Sequence, residues 1–239
     1  MRLFNCTKTK DRTTGLRSAA RAVNGGKLVV LPTDTVYGIG CDAFSHAGVR
    51  ALLAAKGRGR DMAPPVLIGS KRALDGIASD LSAASKELIE AFWPGALTVV
   101  VRYNPTLTWD LGDTGGTVAV RMPLHPLALE LLKDTGPMAV SSANKSGRPP
   151  AATAAEAKEQ LGADVTVYLE AGPSEENVPS TIVDCVAEPP QVLREGALTV
   201  EQIRKIVPEV RDSDGYGPGE RPEDTEPEEF PEEELGGEG

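Results

Sequence analysis

Ser141-Ser142-Ala143-Asn144 closes a short apolar run, Met138-Ala139-Val140, and opens onto Lys145-Ser146-Gly147-Arg148-Pro149-Pro150. Hydroxyls and a glycine where a buried strand emerges give a backbone that a ligand approaches closely, with O–H and N–H groups turned outward. A second such place follows Lys27-Leu28-Val29-Val30-Leu31, where Pro32-Thr33-Asp34-Thr35-Val36-Tyr37-Gly38 begins. Between the two lies Lys56-Gly57-Arg58-Gly59-Arg60, three cations in five residues. Lysine offers a point charge and arginine a planar fork for phosphate oxygens, while the glycines bare their N–H groups. Taken alone, that basic segment fits a solvated loop as well as a phosphate cradle. With the two hydroxyl-rich strand ends, it suits an enzyme that holds a phosphorylated small molecule.

Thr33, Thr35 and Tyr37 follow a buried strand, where α/β sheets place ligands. The plainer reading is a turn built on Pro32 and Asp34. Arg121 ends Thr117-Val118-Ala119-Val120. A buried arginine there needs either an ion-pair partner or a bound anion, and on that fact alone the structural ion pair is favoured. Arg194 has the same character after Gln191-Val192-Leu193. His46 and His125 have no catalytic partner at a recognisable spacing and read as surface or cap residues. The chain shows no nucleophile elbow, no Walker A loop, no dinucleotide fingerprint and no metal-ligand spacing. The chemistry implied is positioning and charge stabilisation rather than covalent catalysis.

The elements that carry these residues alternate between helix-like and strand-like periods, an α/β pattern. Leu16, Ala19, Ala20 and Val23 mark a helix stopped by Gly25-Gly26. Strands are expected at 27–31, 65–68, 97–103, 117–121, 137–141, 165–169, 181–185 and 192–194. Helices are expected at 49–55, 85–92, 126–133 and 153–161, and a last one starts at the capping box Thr199–Gln202. Several strands lack an intervening helix, so the sheet should be mixed. Ala171 to Pro179, rich in Gly, Pro, Ser and Asn, is the candidate lid.

The formal charge of −10 over 239 residues is misleading. Thirteen acids and two bases fall between Pro208 and Gly239, which leaves the rest close to neutral. The expected division is therefore a catalytic domain at 1–207 and a Pro/Glu/Gly-rich disordered tail at 208–239. Cys6, Cys41 and Cys185 are too few and too scattered for a disulfide framework. With no apolar run of membrane length and no signal-peptide core, the chain reads as cytoplasmic and not membrane-bound.

Six segments resemble, in order, the YrdC-like family of L-threonylcarbamoyladenylate synthases. They are residues 31–38, Lys56-Gly57-Arg58, Phe92-Trp93-Pro94-Gly95-Ala96-Leu97-Thr98, residues 118–123, residues 141–147 and Ser180-Thr181-Ile182-Val183-Asp184. The resemblance runs from about Gly15 to Val207. It implies a twisted mixed β-sheet with flanking helices around a concave basic cavity. It also implies a nucleotidyltransferase that turns L-threonine, bicarbonate and ATP, with Mg²⁺, into threonylcarbamoyl-AMP and pyrophosphate. Other proteins would then use that product for the t6A modification of tRNA.

By the same resemblance, Thr35, Arg121, Ser141 and Ser180 contact threonine, with Arg121 on its carboxylate. Lys56 and Arg58 are the catalytic triphosphate cradle, and Thr117, Ala143, Asn144, Arg148 and Arg194 complete the nucleotide contacts. The chain departs from the family pattern at Asp61-Met62-Ala63-Pro64-Pro65, where relatives often carry a base before the proline. Arg60 is the nearest candidate for that charge. Two other readings stand beside the synthase: a paralogue without threonine activation, and an RNA-binding module using the basic concave face. The near-neutral body and the few aromatics weigh against broad nucleic-acid affinity.

Overall fold

The computed structural model describes residues 1–175 and 177–220. In chain order the strands are β1 (Arg2–Asn5), β2 (Leu28–Leu31), β3 (Gly38–Asp42), β4 (Val66–Leu67), β5 (Ala78–Asp80) and β6 (Leu97–Tyr103). β7 (Thr117–Arg121), β8 (Met138–Ser142), β9 (Val165–Glu170), β10 (Thr181–Asp184) and β11 (Gln191–Arg194) follow. The helices are α1 (Thr9–Asn24), α2 (His46–Lys56), α3 (Leu74–Ile77), α4 (Ala83–Phe92), α5 (Pro126–Thr135), α6 (Ala154–Leu161) and α7 (Val200–Arg204).

All the strands join one mixed sheet in the order β1-β9-β2-β3-β8-β4-β7-β6-β10-β11, with β5 paired to β6. The pairs β1/β9, β2/β9, β4/β7 and β6/β10 are parallel. The mixed sheet with flanking helices is the expected fold class. Leu28-Val29-Val30-Leu31 shows why an unbroken apolar run reads as a strand buried on both faces. Leu28 and Val30 belong to the buried cluster on one side of the sheet that also takes in residues of α2, α4, α6 and α7. Val29 and Leu31 pack with α1 and α5 on the other.

The α1/α5 cluster draws on β2, β4, β8 and β9 but on no residue of β6, β7, β10 or β11. Along β7, Val118 and Val120 point into the opposite core. Period-two alternation therefore turns Thr117, Ala119 and Arg121 onto the face that α1 and α5 leave uncovered. That bare stretch of sheet is where the candidate site lies.

Two expectations need correction. No strand is expected at 38–42, because Gly38 and Gly40 depress strand propensity, yet β3 lies there. Both glycines are needed for close packing: a Cβ at either would come within 2.6 or 2.7 Å of the Val140 side chain on β8. The body also continues beyond Pro208. The Val192 N–H donates to the Arg211 carbonyl and the Arg211 N–H to the Pro190 carbonyl, both at 2.8 Å. Val210 is fully buried and Asp212 nearly so. The Arg204 guanidinium donates to the carbonyls of Val210 and Tyr216. Composition missed this segment because one valine and a backbone bridge, not an apolar run, hold it. Expectations for residues 221–239 lie outside the described residues. Among the described residues, no helix is long and apolar enough to cross a membrane.

Candidate functional site

A cavity of about 320 Å³ opens on the bare face, lined among others by Thr35, Arg58, Thr98, Arg121, Ser141, Ser180 and Arg194. Six of the sequence candidates thus converge from six separate segments of chain. Thr98 joins them unannounced by the sequence reading: its hydroxyl lies 2.8 Å from that of Ser180, and both residues are buried. Its signal was a threonine hydroxyl in the mostly apolar strand Leu97–Tyr103, on the cavity side of the alternation.

Arg121, at the end of β7, is 5% exposed and needs every partner it has. Its Nε donates to the Gly95 carbonyl at 2.9 Å, one terminal nitrogen to Thr35 Oγ1 at 2.7 Å, and the other to Asp34 Oδ1 at 2.6 Å. Asp34 also accepts from the Leu124 N–H, so the turn after β2 is tied to the end of β7. The ion pair expected of a buried arginine is present, with Asp34, and Arg121 also lines the cavity. Burial lowers its pKa, Asp34 raises it, and Arg194 lowers it further.

Arg58 follows the C-terminus of α2, where Gly57 takes the left-handed conformation (φ 69°) that ends helices. Its Nε donates to Ser146 Oγ and one terminal nitrogen to Ser141 Oγ, each at 3.0 Å. Arg194 donates through two nitrogens to the Ser180 carbonyl, at 3.1 and 2.6 Å. Burial depresses both guanidinium pKa values, and Arg58 adds to the effect on Arg194.

Lys56 lies beneath the cavity rather than in its wall. Only 2% exposed, it donates from Nζ to the carbonyls of Ser142 and Asn144, the latter at 2.8 Å. Its own carbonyl accepts from the Ser146 N–H at 3.0 Å. Burial, and after it the charge on Arg58, pulls its pKa down to about 7. Ala143 and Asn144 are buried in the loop so held, and the Asn144 amide donates to the carbonyls of Lys145 and Arg148.

Arg148 is exposed beside the site. Thr117 shares the face of Arg121 but stands about 13 Å further along β7, by the rise of a strand. Its hydroxyl donates to the Thr114 carbonyl. Arg60 is engaged elsewhere: it takes Asp110 with both terminal nitrogens, at 3.0 and 2.8 Å, and Asp113 with Nε at 3.2 Å. His125 Nδ1 accepts from the Leu127 N–H and caps α5, as its position suggested. His46 Nε2 lies 2.7 Å from the Thr108 carbonyl. Among the described residues, no group of three or more His, Cys, Asp or Glu side chains could hold a metal ion.

Residues 21–196 match the family model Sua5_yciO_yrdC, described as "Telomere recombination". A protein of Mycobacterium tuberculosis (strain ATCC 25618 / H37Rv) named "Putative threonylcarbamoyl-AMP synthase" is 54% identical over 204 residues, 85% of this chain and 94% of that one. The "Threonylcarbamoyl-AMP synthase" of Pyrococcus abyssi is 37% identical over 199 residues, 82% of this chain and 58% of its relative. Of solved structures, P. abyssi Sua5 complexed with L-threonine superposes with a TM-score of 0.78 at 36% identity, covering 82% of this chain and 58% of that one. Escherichia coli YciO shares the fold, with a TM-score of 0.73 at 22% identity over 80% of this chain and 93% of that one.

Proposed function

The chain belongs to the Sua5/YciO/YrdC family, and on that footing we propose that it is a threonylcarbamoyl-AMP synthase, a nucleotidyltransferase acting on L-threonine, bicarbonate and ATP. The observation that carries the reading is the convergence of Arg58, Arg121 and Arg194 with the hydroxyls of Thr35, Ser141 and Ser180 around one cavity. Three permanently charged forks and few carboxylates suit a ligand pair carrying a carboxylate and a polyphosphate.

In this proposal Arg121 takes the threonine carboxylate on its cavity-side N–H bonds, and Thr35, Ser141 and Ser180 orient the amino acid. The threonine amine, as the free base, adds to the bicarbonate carbon, and the bicarbonate hydroxyl leaves with the amine proton as water to give N-carboxythreonine. A carboxylate oxygen of that carbamate attacks the α-phosphorus. The bond from the α-phosphorus to the bridging oxygen breaks, and pyrophosphate leaves. Arg58 and Arg194 hold the oxygens on which charge accumulates, and Lys56 adds its charge from below while fixing the 142–146 loop. Thr117, Ala143, Asn144 and Arg148 are assigned to the nucleotide, which runs from the cavity along the uncovered face. Mg²⁺ enters with the substrate as MgATP, held by phosphate oxygens. The product serves the proteins that complete t6A on tRNA.

Pyrophosphate release from MgATP, with and without L-threonine and bicarbonate, tests the reading. Release that needs both co-substrates supports it, as does its loss in Arg58→Ala and Arg194→Ala proteins with unchanged circular dichroism. Near-normal turnover in either variant counts against the site. RNA binding without turnover would restore the RNA-binding reading.

A further inference from the structure

The loop 57–64, which carries Arg58 and lends Ala63 to the cavity wall, is buttressed from outside. Arg60 points away from the cavity and forks onto Asp110 through both terminal nitrogens, while its Nε reaches Asp113. The Asp113 N–H donates to the Arg60 carbonyl at 2.9 Å. The approach of the two backbones is close enough to exclude a side chain. Gly112 has φ +117°, and a Cβ there would lie 2.4 Å from the Arg60 carbonyl oxygen.

The loop on the far side of this latch is itself anchored. Trp109 and Leu111, which flank Asp110, are buried in the core. Trp109 stacks on Phe44 with ring centroids 5.6 Å apart and meets Tyr103 edge-on at 5.4 Å. A glycine-rich loop that would otherwise swing about Gly57 and Gly59 is therefore fastened to a rigid point two residues after Arg58.

We propose that Arg60 is a positioning residue: through Asp110 and Asp113 it holds the 57–64 loop so that Arg58 stands ready for the triphosphate. This rests on the synthase reading for the role of Arg58. Preorganisation of this kind lowers the ordering cost of binding. Its signature is a change in ATP affinity with threonine affinity and the chemical step spared. Exposed pairs contribute modestly, so the expected effect is a rise of about fivefold in the KM for ATP, shrinking as added salt screens the wild-type latch.

The experiment compares full-length wild type, Arg60→Ala, Arg60→Lys, the double variant Asp110→Asn/Asp113→Asn and the triple combination. Steady-state pyrophosphate release and calorimetric binding of a non-hydrolysable ATP analogue are measured for each. Arg60→Ala and the double aspartate variant should raise KM for ATP and weaken analogue binding alike, leaving kcat and the KM for threonine within about twofold. The triple variant should be no worse than either, since all remove one coupled unit, and lysine, with no fork, should rescue only partly.

Unchanged ATP affinity in Arg60→Ala overturns the proposal, including the case where only the melting temperature falls. Weakening in Arg60→Ala without weakening in the aspartate variant also overturns it, because Arg60 would then touch phosphate itself. If wild type binds the analogue but makes no threonine-dependent pyrophosphate, the synthase reading fails, and the binding comparison still decides the latch. Wild type that binds no nucleotide overturns both.

Discussion

The ammonium of Lys56, at the last turn of α2, sits 2.8 Å from the backbone carbonyl oxygen of Asn144, in the loop that follows β8. A cation is thereby placed where the α2 dipole favours it, and it serves as the internal bolt of a loop whose other hydroxyls line the cavity. Lys56→Met keeps the aliphatic stem and removes the donors. The carbonyls of Ser142 and Asn144 then lose their partner, at about 1–3 kcal/mol for each buried group left unsatisfied. Chemical denaturation should show a lower midpoint with an unchanged slope, and pyrophosphate release should fall with it. A full-stability Lys56→Met protein would show that the loop holds itself.

Because Lys56 titrates near 7, held down first by burial and then by Arg58, two pH trends of opposite sign should appear. The unfolded lysine keeps its proton up to its ordinary value of 10.5. Between about pH 7 and that value the unfolded state therefore binds more protons, and this group's contribution to stability rises with pH. A bound triphosphate favours the charged form, so ATP affinity should fall as pH rises above about 7, by at most about tenfold per unit. The neutral amine still offers two N–H donors, so the loop keeps its contacts while the charge is lost. Calorimetric titration with an ATP analogue from about pH 6 to 9 checks this, and a flat profile in Lys56→Met assigns the trend to the residue.

Asp34 and Arg121 form the most buried ion pair among the described residues, with side chains 15% and 7% exposed. Asp34→Asn leaves a guanidinium buried without its counter-charge, a loss that costs about 3–5 kcal/mol for such pairs. The KM for threonine should rise steeply while ATP-analogue binding changes little, because the pair serves the amino-acid end. Arg121→Lys should do the same, since an ammonium cannot reach Gly95, Thr35 and Asp34 together. Equal losses at both ends would mean that the pair holds the whole cavity rather than one subsite.

Local composition carried much of this architecture. Thr117–Arg121 and Leu97–Tyr103 were legible to the residue because β-branched side chains alternate between a core and an open face. Arg121 and Ser141 were legible as polar residues at the ends of apolar strands, and Ser180 only through the family resemblance. Relations across the sheet were not. The glycines of β3 make sense only against Val140, and Thr98 is a site residue only because the parallel pairing of β6 with β10 sets it beside Ser180. Arg60 looked like a spare phosphate ligand because the sequence holds no sign that Asp110 and Asp113, some fifty residues on, would turn it outward.

The segment after Val207 was misjudged for the same reason, and it yields the last expectation. Val210 is fully buried, and Arg211 exchanges backbone hydrogen bonds with the edge strand at Pro190 and Val192. Burying a valine contributes about 1.5–3 kcal/mol. Truncation after Val207 also strips Arg204 of the two carbonyls it holds. At roughly 2–4 °C per kcal/mol for a chain of this size, that truncation should lower the melting temperature by about 5–10 °C. Truncation after Glu220 removes nine acids and one base but only Phe230 and Leu235 as large apolar side chains. By composition it should move the midpoint by no more than about 1 °C. Differential scanning calorimetry of the two truncations beside the full chain separates a docked strap from an acidic appendage. Equal midpoints for all three would mean that the contacts at Val210 and Arg211 contribute nothing in solution.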